Sequence, residues 1–382
     1  MILMNGNRQV LYYNLDDYII EVLDNEFLPY PLKDFIKSTK SFAKPKDMVE
    51  NGKYIDTLKD FLSNRVLNIS RSNAKAILNS AGLPATVRIQ DRLKICHACR
   101  GLSITDNFWL KEDYETLTFD DVNLRKKHLY DAAFKVSVIG NVLTISKDIL
   151  EPDISSQGMF AKTWYRSNSG LELWKTDRND NKINTKAEIR VSEILDETDV
   201  PHVKYRAYEK DGILLAVCSC ITDDNVSMIS AQDLKDWCEH TGQDFISVVM
   251  SMDKKAFSQM VVIDYLISNP DRHLENFAFF IDNTTNEICG MAWLYDHNQA
   301  LIADVLGNDI ADMIYEPTGL TMRESALQYF MSADIHLNFG ECRKKGLFEF
   351  FGEHLRIEER FNVLKSQQKI YMENAIRDIE LE

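Results

Sequence analysis

The sequence lacks long apolar runs and is poor in the residues that mark low-complexity chains. Its longest apolar stretch, residues 213–221, has nine residues and includes Ser219, which is too short for a helix that crosses a bilayer. No basic segment followed by an apolar one opens the chain, so no signal peptide is expected. Glycine and proline together supply 23 of the 382 residues, roughly half of average usage. These scarcities exclude collagen-like and linker-rich chains, and they predict a globular protein that does not act at a membrane.

Basic charge is also scarce. The 44 Lys and Arg residues are outnumbered by 59 Asp and Glu residues, which gives a net charge of −15. A chain this acidic repels a polyphosphate backbone unless it carries a local basic patch, so direct nucleic-acid binding is disfavoured. The seven cysteines form an odd, scattered set, which is typical of a reduced protein with free thiols. We therefore expect a cytoplasmic location.

The pattern of predicted strands and helices divides the sequence into three segments. Residues 1–115 read as a small mixed segment, residues 116–222 as a β-rich segment and residues 223–382 as a helical one. The first segment is predicted to contain strands at 9–13 and 18–23 and helices at 54–62, 72–81 and 87–99. The second is predicted to contain strands at 134–139, 142–145, 159–165, 171–175, 203–208 and 213–220, with one helix at 185–195. The third is predicted to contain helices at 230–240, 254–267 and 356–381. This order indicates an α+β fold with two lobes.

The most informative stretch is residues 269–277, which reads Asn-Pro-Asp-Arg-His-Leu-Glu-Asn-Phe. Asp271 and Asn276 stand five residues apart on a loop that follows an apolar helix, and a second apolar run, 292–295, leads into Asp296. Carboxylate and amide oxygens are hard ligands that suit Mg²⁺, and a further carboxylate can orient an acceptor hydroxyl and take its proton. Protein kinases place the base Asp five residues before the metal-binding Asn. The spacing predicts phosphoryl transfer; the alternative is a loop in which Asp271 caps a turn and His273 is simply packed.

Two further stretches could hold phosphate. The small residues at 155–158 could let backbone N–H groups approach phosphate oxygens, although an ordinary hairpin would explain them equally well. Lys175 lies on the predicted strand face that otherwise carries Leu171 and Leu173, so its ammonium needs an anionic partner. A nucleotide phosphate would serve, with Glu188 on the following helix holding the ammonium. The alternative for Lys175 is an edge-strand lysine in water.

The sequence resembles the HipA-like serine/threonine kinases, in particular their compact single-chain bacterial branch. The matching pieces run in family order: 106–110, Gly158-Met159, 162–164, 173–175, Glu188 with Ser192, 269–277 and Tyr295-Asp296. The resemblance covers about residues 100–300 well and residues 1–100 only in outline. It implies a two-lobed, protein-kinase-like α+β fold with a small N-terminal accessory segment (1–115), a β-rich N-lobe (116–222) and a helical C-lobe (223–382), with ATP and Mg²⁺ bound between the lobes.

The resemblance also implies roles for individual residues. Asp271 would be the catalytic aspartate, and His273 beside it would be a proton relay, a phosphate contact or a loop anchor. Asn276 and Asp296 would be the Mg²⁺ ligands. The nucleotide would be held by a larger set: Ser155, Ser156, Gln157, Gly158, Lys175, Glu188, Cys220 and Thr222, the last two at the hinge that grips adenine. Ser155, three residues before the glycine, would be the autophosphorylation site, and its phosphate would eject the loop from the nucleotide pocket.

The sequence departs from the family pattern at the hinge, which carries no obvious acidic side chain, and at His297, which follows Asp296 in place of Phe-Gly. The Asp-Arg-His-x-x-Asn pattern also occurs in phosphoinositide kinases, but this short, acidic chain lacks a basic amphipathic surface for a lipid substrate. We therefore predict an ATP- and Mg²⁺-dependent serine/threonine protein kinase, compatible with an antitoxin-like protein partner. The alternatives are a nucleotide-binding module of a toxin–antitoxin-like or transcription-regulating complex without catalysis, and a small-molecule kinase.

One possible metal-binding motif receives less weight than the phosphate-transfer residues. Cys96 and Cys99 have the spacing of a zinc pair, but no second pair follows at zinc-ribbon distance and a structural zinc site needs four ligands. A buried helix face is the preferred interpretation. The apolar residues at 347–351 are likewise interpreted as core and not as a partner surface.

Overall fold

The structure is a computed structural model that describes residues 1–39, 45–85, 88–127 and 131–379. It forms two compact units. The first unit comprises Met1–Arg178, Val217–Phe245 and Phe279–Cys289, and the second comprises Asn179–Ala216, Ile246–Ala278 and Gly290–Glu382. The predicted division into 1–115, 116–222 and 223–382 stays a prediction, because compactness alone does not define functional lobes.

Strands and short helices alternate through the first 220 residues, and helices dominate the rest. The strands are β1 Ile2–Asn5, β2 Arg8–Asn14, β3 Ile19–Val22, β4 Phe108–Lys111, β5 Ala161–Ser167, β6 Gly170–Thr176, β7 Arg206–Lys210, β8 Ile213–Ser219, β9 Val226–Ser230, β10 Ala278–Asp282, β11 Glu287–Met291, β12 Glu349–Phe350 and β13 Glu353–His354. The helices are α1 Pro45–Ser63, α2 Ala74–Ser80, α3 Ile89–Ala98, α4 Phe119–Val122, α5 Asp131–Phe134, α6 Lys147–Ile154, α7 Ile183–Leu195, α8 Ala231–Thr241, α9 Phe245–Leu266, α10 Ile302–Val305, α11 Met322–Ala333, α12 Phe339–Lys344 and α13 Ile357–Ile379. The predicted helices at 87–99 and 356–381 correspond to α3 and α13, although Val87 and residues 380–381 lie outside the described part of the chain.

The first unit opens with a four-stranded sheet in the order β3-β2-β1-β4. Its strands pair antiparallel, with Leu3 opposite Leu11 and Tyr13 opposite Ile20. These four side chains are almost fully buried and form one core with the apolar faces of α1, α2 and α3. Alternation along each strand therefore places one face of the sheet in the core.

The predicted strands at 134–139 and 142–145 are wrong. α5 continues into a π-helical turn, Lys135–Ile139, and residues 142–145 have no regular secondary structure. Gly140 has φ +90° and ends this helical segment, whereas the sequence suggests it as a hairpin turn. The Asn73 side chain donates hydrogen bonds of 3.0 and 2.9 Å to the carbonyls of Ser137 and Val138. A distant side chain thus satisfies carbonyls near a helix end, and no short-range pattern reveals that contact.

A second four-stranded sheet has the order β5-β6-β8-β7. β5 and β6 form an antiparallel hairpin in which Lys162 is opposite Lys175. The predicted strands at 159–165, 171–175 and 213–220 are close to β5, β6 and β8, whereas the strand predicted at 203–208 begins three residues later, at Arg206. The helix predicted at 230–240 is α8, and its N-cap Ser230 accepts a hydrogen bond from the Asp233 backbone N–H, at 3.1 Å.

The second unit is built around α9. This helix contains a non-helical residue, Asp253, and the predicted helix at 254–267 matches the part that follows it. Its end is held by Asp304, which is 7% exposed and accepts hydrogen bonds from Arg360 (3.0 Å) and from the Ser268 hydroxyl (3.3 Å). Arg360 also donates to the Leu266 carbonyl, at 3.0 Å. One carboxylate and one guanidinium therefore join α10, α13 and the end of α9.

Burial bears on two further sequence interpretations. Cys96 and Cys99 are buried with free thiols, and the described residues contain no group of three or more His, Cys, Asp or Glu side chains arranged for a metal ion. Leu347, Phe348 and Phe350 are buried, as expected for core residues, whereas the core prediction is wrong for Phe351, which is 41% exposed. No helix in the described ranges has the length and apolar character needed to traverse a bilayer.

Removal of the Asp304 charge should destabilise the fold. In Asp304→Asn, the Arg360 guanidinium stays buried without its counter-charge, so we expect a loss of about 3 kcal/mol in the free energy of unfolding, measured by urea unfolding. Asp312→Asn is the matched control, because the Asp312 side chain is 85% exposed and its ion pair with Arg323 spans 3.4 Å; it should leave the midpoint almost unchanged.

Acidification should reduce the difference between Asp304→Asn and the wild type. Burial alone would raise the pKa of Asp304, but the hydrogen bonds and charge of Arg360 hold the pKa below its ordinary value. A carboxyl group whose pKa is depressed on folding stabilises the folded state above its unfolded pKa, and that contribution is lost as the pH falls through the folded pKa. A stability difference that stays constant through the acidic range would contradict this assignment.

Candidate functional site

A fully buried ion pair supports the loop that carries the predicted catalytic residues. Asp264 on α9 accepts a hydrogen bond of 2.9 Å from the Arg272 guanidinium, and both side chains are 0% exposed. The same carboxylate accepts from the Tyr315 hydroxyl (2.6 Å) and from the Asn269 amide (2.8 Å). Burial alone would lower the pKa of Arg272, but the Asp264 carboxylate raises it above its ordinary value. The pair is therefore charged, and it has hydrogen-bond partners beyond its own two members. A buried ion pair requires such partners.

Arg272 also joins the two stretches that the sequence singles out. Its guanidinium donates to the carbonyl of Asn276 and, at 2.7 Å, to the carbonyl of Tyr295. Tyr295 immediately precedes Asp296. One side chain thus ties the loop of Asp271 and Asn276 to the segment of Asp296, although Arg272 and Tyr295 are 23 positions apart in sequence.

The Asp271 backbone closes the loop, and its carboxylate does not. The Asp271 carbonyl accepts hydrogen bonds from the Asn276 side-chain amide (2.7 Å) and from the His273 N–H (3.0 Å). Within the described ranges, no hydrogen bond reaches either carboxylate oxygen of Asp271. The alternative in which the Asp271 side chain caps a turn is therefore not what the structure shows, and the carboxylate remains available for chemistry.

The charge of Asp296 acts on Asp271. Burial raises the pKa of Asp271, the neighbouring His273 opposes this rise, and the Asp296 charge adds to it. Asp296 adopts a left-handed backbone conformation, φ +60°, which is uncommon outside glycine, and it accepts a hydrogen bond from the Asn298 amide. A cation bound beside these two residues would offset the charge of Asp296 that raises the pKa of Asp271.

The donor set suits a hard divalent cation. Because the Asn276 amide nitrogen is bonded to the Asp271 carbonyl, its oxygen is the atom that can face a ligand. The protein offers few ligands here, namely an amide oxygen and one or two carboxylates. They are enough for Mg²⁺, because this ion keeps several of its waters and does not need ligands from the protein at every position. Asn276 and Asp296, with Asp271 nearby, therefore fit Mg²⁺, which would neutralise an anionic group brought to the site.

His273 has the geometry of a loop anchor. Its ring Nδ1 accepts a hydrogen bond of 3.2 Å from the Glu275 backbone N–H. An accepting Nδ1 leaves the proton of the neutral ring on Nε2. Of the three roles that the sequence leaves open for His273, this contact favours the anchor.

Residues on α7 hold the segment around Asp296. Glu188, which is 1% exposed, accepts a hydrogen bond from the His297 backbone N–H at 3.2 Å. Asn184 donates to the Asn298 carbonyl at 2.9 Å. Glu188 thus has a structural contact in the second unit, and its predicted role towards Lys175 stays a prediction.

The predicted phosphate-binding residues lie in the first unit, on the connection between α6 and β5, residues 155–160, called the phosphate loop below. The hydroxyls of Ser155 and Ser156 both donate to the Pro152 carbonyl, at 3.1 and 2.7 Å, and the Trp164 indole donates to the Ser156 oxygen at 3.0 Å. Gly158 has φ +91°, and a Cβ there would lie 2.5 Å from the Lys162 ammonium. The connection joins a helix to a strand, so the ordinary-hairpin alternative is wrong.

Lys175 and the hinge residues also belong to the first unit. Lys175 is 6% exposed on a strand that lies between β5 and β8, so the alternative of an edge-strand lysine in water is wrong. Thr222 is buried and donates its hydroxyl to the Ile104 carbonyl at 2.9 Å. The Cys220 backbone N–H donates to the Leu171 carbonyl at 2.8 Å. Contacts of either residue with adenine stay a prediction.

The two units thus hold different parts of the predicted site. The second unit brings together Asp271, His273, Asn276 and Asp296, with Glu188 behind them. The sequence reasoning missed the supporting residues Asp264, Tyr315 and Asn184. Asp264 had a detectable signal, since a carboxylate on an apolar helix face must find a cation, and Arg272 is the basic residue of the loop that follows that helix.

The comparisons with known proteins identify a similar fold but do not identify a family. No family model matches the sequence, and no curated protein matches it. HipA of the Shewanella oneidensis MR-1 toxin–antitoxin system, solved with HipB and operator DNA, matches with a TM-score of 0.52 and 11% sequence identity, over 95% of this chain and 90% of that one. A proinflammatory kinase of Helicobacter pylori, CtkA, matches with a TM-score of 0.36 and 14% identity, over 45% of this chain and 77% of that one. The prediction of an α+β, HipA-like fold is confirmed.

Loss of the Tyr315 hydroxyl should weaken the support of the loop. Tyr315→Phe leaves one oxygen of the buried Asp264 carboxylate with a hydrogen bond fewer, so we expect a loss of about 1 to 2 kcal/mol in unfolding free energy, measured by thermal or urea unfolding. Tyr114→Phe removes a hydroxyl from a side chain that is 84% exposed and serves as the control. Equal stability of the two variants would contradict the assigned role of Tyr315.

Proposed function

We propose that the protein is an ATP- and Mg²⁺-dependent serine/threonine protein kinase. The observation that carries the proposal is the joining of the Asp271–Asn276 loop to the Asp296 segment by the buried Arg272. This arrangement collects a free carboxylate, an amide oxygen and a second carboxylate, which is the set that phosphoryl transfer requires. The structural similarity to HipA is consistent with the proposal, but at 11% sequence identity it supports only the fold.

Each residue has a defined part in the proposed reaction. Asp271 orients the acceptor hydroxyl and accepts its proton as the oxygen attacks the γ-phosphorus, while the bond from that phosphorus to the β–γ bridging oxygen breaks and ADP leaves. Asn276 and Asp296 hold the Mg²⁺, which would neutralise charge on the phosphate oxygens. In the first unit, Lys175 and the N–H groups of the phosphate loop contact the phosphates. His273 fixes the shape of the catalytic loop through its Nδ1.

Several finer points belong to the same proposal. The acceptor is a protein hydroxyl, and Ser155 of the phosphate loop is the proposed site of autophosphorylation. The HipA neighbour was solved with a HipB partner, and an antitoxin-like partner in the cytoplasm is proposed for this protein by analogy. Direct contact with nucleic acid is not proposed, because the net charge is −15.

Asp271→Ala should abolish phosphoryl transfer while the protein stays folded. Loss of the general base and of its charge typically costs a factor of about 10² to 10⁴ in rate. The measurement is incorporation of radiolabelled phosphate into protein in the presence of Mg²⁺, with circular dichroism to confirm folding. Glu275→Ala is the control, because Glu275 is an exposed carboxylate in the same loop and should retain wild-type incorporation. Wild-type incorporation by Asp271→Ala would remove its assigned role.

The same assay separates the alternatives. Tight binding of nucleotide without labelled protein would favour a non-catalytic regulatory module. ATP turnover that appears only when a metabolite is added would favour a small-molecule kinase.

A phosphosite map should find Ser155 modified in preference to Ser156. The Ser156 oxygen accepts a hydrogen bond from Trp164 and its hydroxyl donates to Pro152, whereas the Ser155 hydroxyl, among the residues that the structure describes, contacts only Pro152. Ser155 therefore has fewer interactions to lose before it reacts. Mass spectrometry after incubation with ATP and Mg²⁺ measures the two sites, and phosphate confined to Ser156 would contradict the assignment.

A further inference from the structure

We propose that residues 64–72, called the tether below, position the phosphate loop through Arg71; the assignment to nucleotide binding rests on the proposed function. The tether follows α1 and lies in the N-terminal segment, for which the sequence indicates no specific role. Arg71 is a positioning residue in this proposal, because it acts on the backbone of the loop and does not touch the phosphates.

Arg71 binds backbone carbonyls before, within and after the phosphate loop. Its guanidinium donates to the Asp153 carbonyl at the end of α6, to the Ser156 carbonyl at 3.1 Å and to the Lys162 carbonyl on β5 at 2.6 Å. The residue is 2% exposed. A rigid, planar guanidinium that bonds three carbonyls fixes the distance between the two ends of the loop, which a lysine ammonium cannot reproduce.

The rest of the tether bonds to the same loop. The Leu67 N–H donates to the Ile154 carbonyl (2.7 Å), and the Ser72 N–H donates to the Met159 carbonyl (2.8 Å). In the other direction, the Gln157 side-chain amide donates to the carbonyls of Asn64 and Val66. Residues at the beginning, middle and end of the loop are therefore bonded to one short stretch of chain.

The tether is itself fixed from behind, and Arg71 has a charge partner. Arg92 on α3 donates to the carbonyls of Ser63 (2.7 Å) and Val66 (2.8 Å). The Asp153 carboxylate, 1% exposed, accepts hydrogen bonds from Ser137, Thr163 and the Trp164 N–H. Arg71 on one side and the hydrogen-bonded Asp153 carboxyl group on the other therefore restrict the conformation of the loop, which is preorganisation.

This arrangement makes the N-terminal segment part of the phosphate site and not an appendage. A phosphate-binding loop works through backbone N–H groups whose directions are set by its φ and ψ angles. A loop with few internal hydrogen bonds needs an external support to keep those directions. The tether supplies that support within the first unit.

Arg71→Lys tests the proposal, with Arg125→Lys as the matched control. Arg125 is also buried in the first unit and donates to the Ile104 carbonyl (2.9 Å) and to Asn107, but not to the phosphate loop. Both substitutions should lower the unfolding midpoint. Only Arg71→Lys should speed amide hydrogen exchange in residues 154–162 and raise the Kd for ATP with Mg²⁺, each by about tenfold, the equivalent of one lost hydrogen bond.

The exposed Gln157 gives a second variant that should fold even if Arg71→Lys does not. Gln157→Ala removes two hydrogen bonds between loop and tether and should also speed exchange in residues 154–162, with a smaller effect than Arg71→Lys. Two results would overturn the proposed role of the tether. One is equal amide hydrogen exchange of the loop in Arg71→Lys and Arg125→Lys, and the other is wild-type exchange in Gln157→Ala. A wild-type protein that binds no ATP would overturn the proposed function and the nucleotide part of this inference, while hydrogen exchange still decides whether the tether holds the loop.

Discussion

The buried contact between Asp264 and Arg272 is the interaction on which the candidate site depends. Both side chains are inaccessible to solvent, so each would be strongly unfavourable without the other. The pair shares its remaining hydrogen-bonding capacity with Tyr315, Asn269 and two backbone carbonyls. Because these partners come from separate stretches of chain, satisfying one buried charge forces the Asp271–Asn276 loop and the Asp296 segment to meet. The positions of Asp271, Asn276 and Asp296 follow from that requirement.

Buried arginines that bond to several groups also occur elsewhere in the protein. Arg360 bonds Asp304 and the Leu266 carbonyl at the end of α9, and Arg71 bonds three carbonyls around the phosphate loop. In each case a buried guanidinium donates to backbone carbonyls at the end of a helix or strand or in the loop beside it. Arginine suits this task because its five N–H donors are held in a fixed plane. An acidic protein can therefore depend on a few buried cations for the shape of its loops.

Local patterns in the sequence predict the regular elements that have one apolar face and a clear end, such as α7, α8 and the β5–β6 hairpin. They fail at residues 134–145, where a β-branched run is compatible with either strand or helix. The deciding contact there is between Asn73 and two carbonyls more than sixty residues away. Similarly, the sequence indicates Asp271, Asn276 and Asp296 through spacing, but Tyr315 and Asn184 carry no local pattern. Their roles depend on which buried groups they reach in the folded chain.

The Asp-Arg-His-x-x-Asn stretch illustrates why a short motif can be more specific than its length suggests. Its first and last residues offer oxygens to a ligand, whereas Arg272 faces inward and His273 closes the loop with its ring nitrogen. Substituting the arginine would leave the ligand-facing residues in the sequence but remove the reason that they converge. The five-residue spacing has meaning only if Asn276 can reach the Asp271 carbonyl with its amide nitrogen and keep its oxygen for a cation. Half of the motif therefore carries the proposed chemistry and half makes the geometry, and a sequence that keeps only the first half would not form this site.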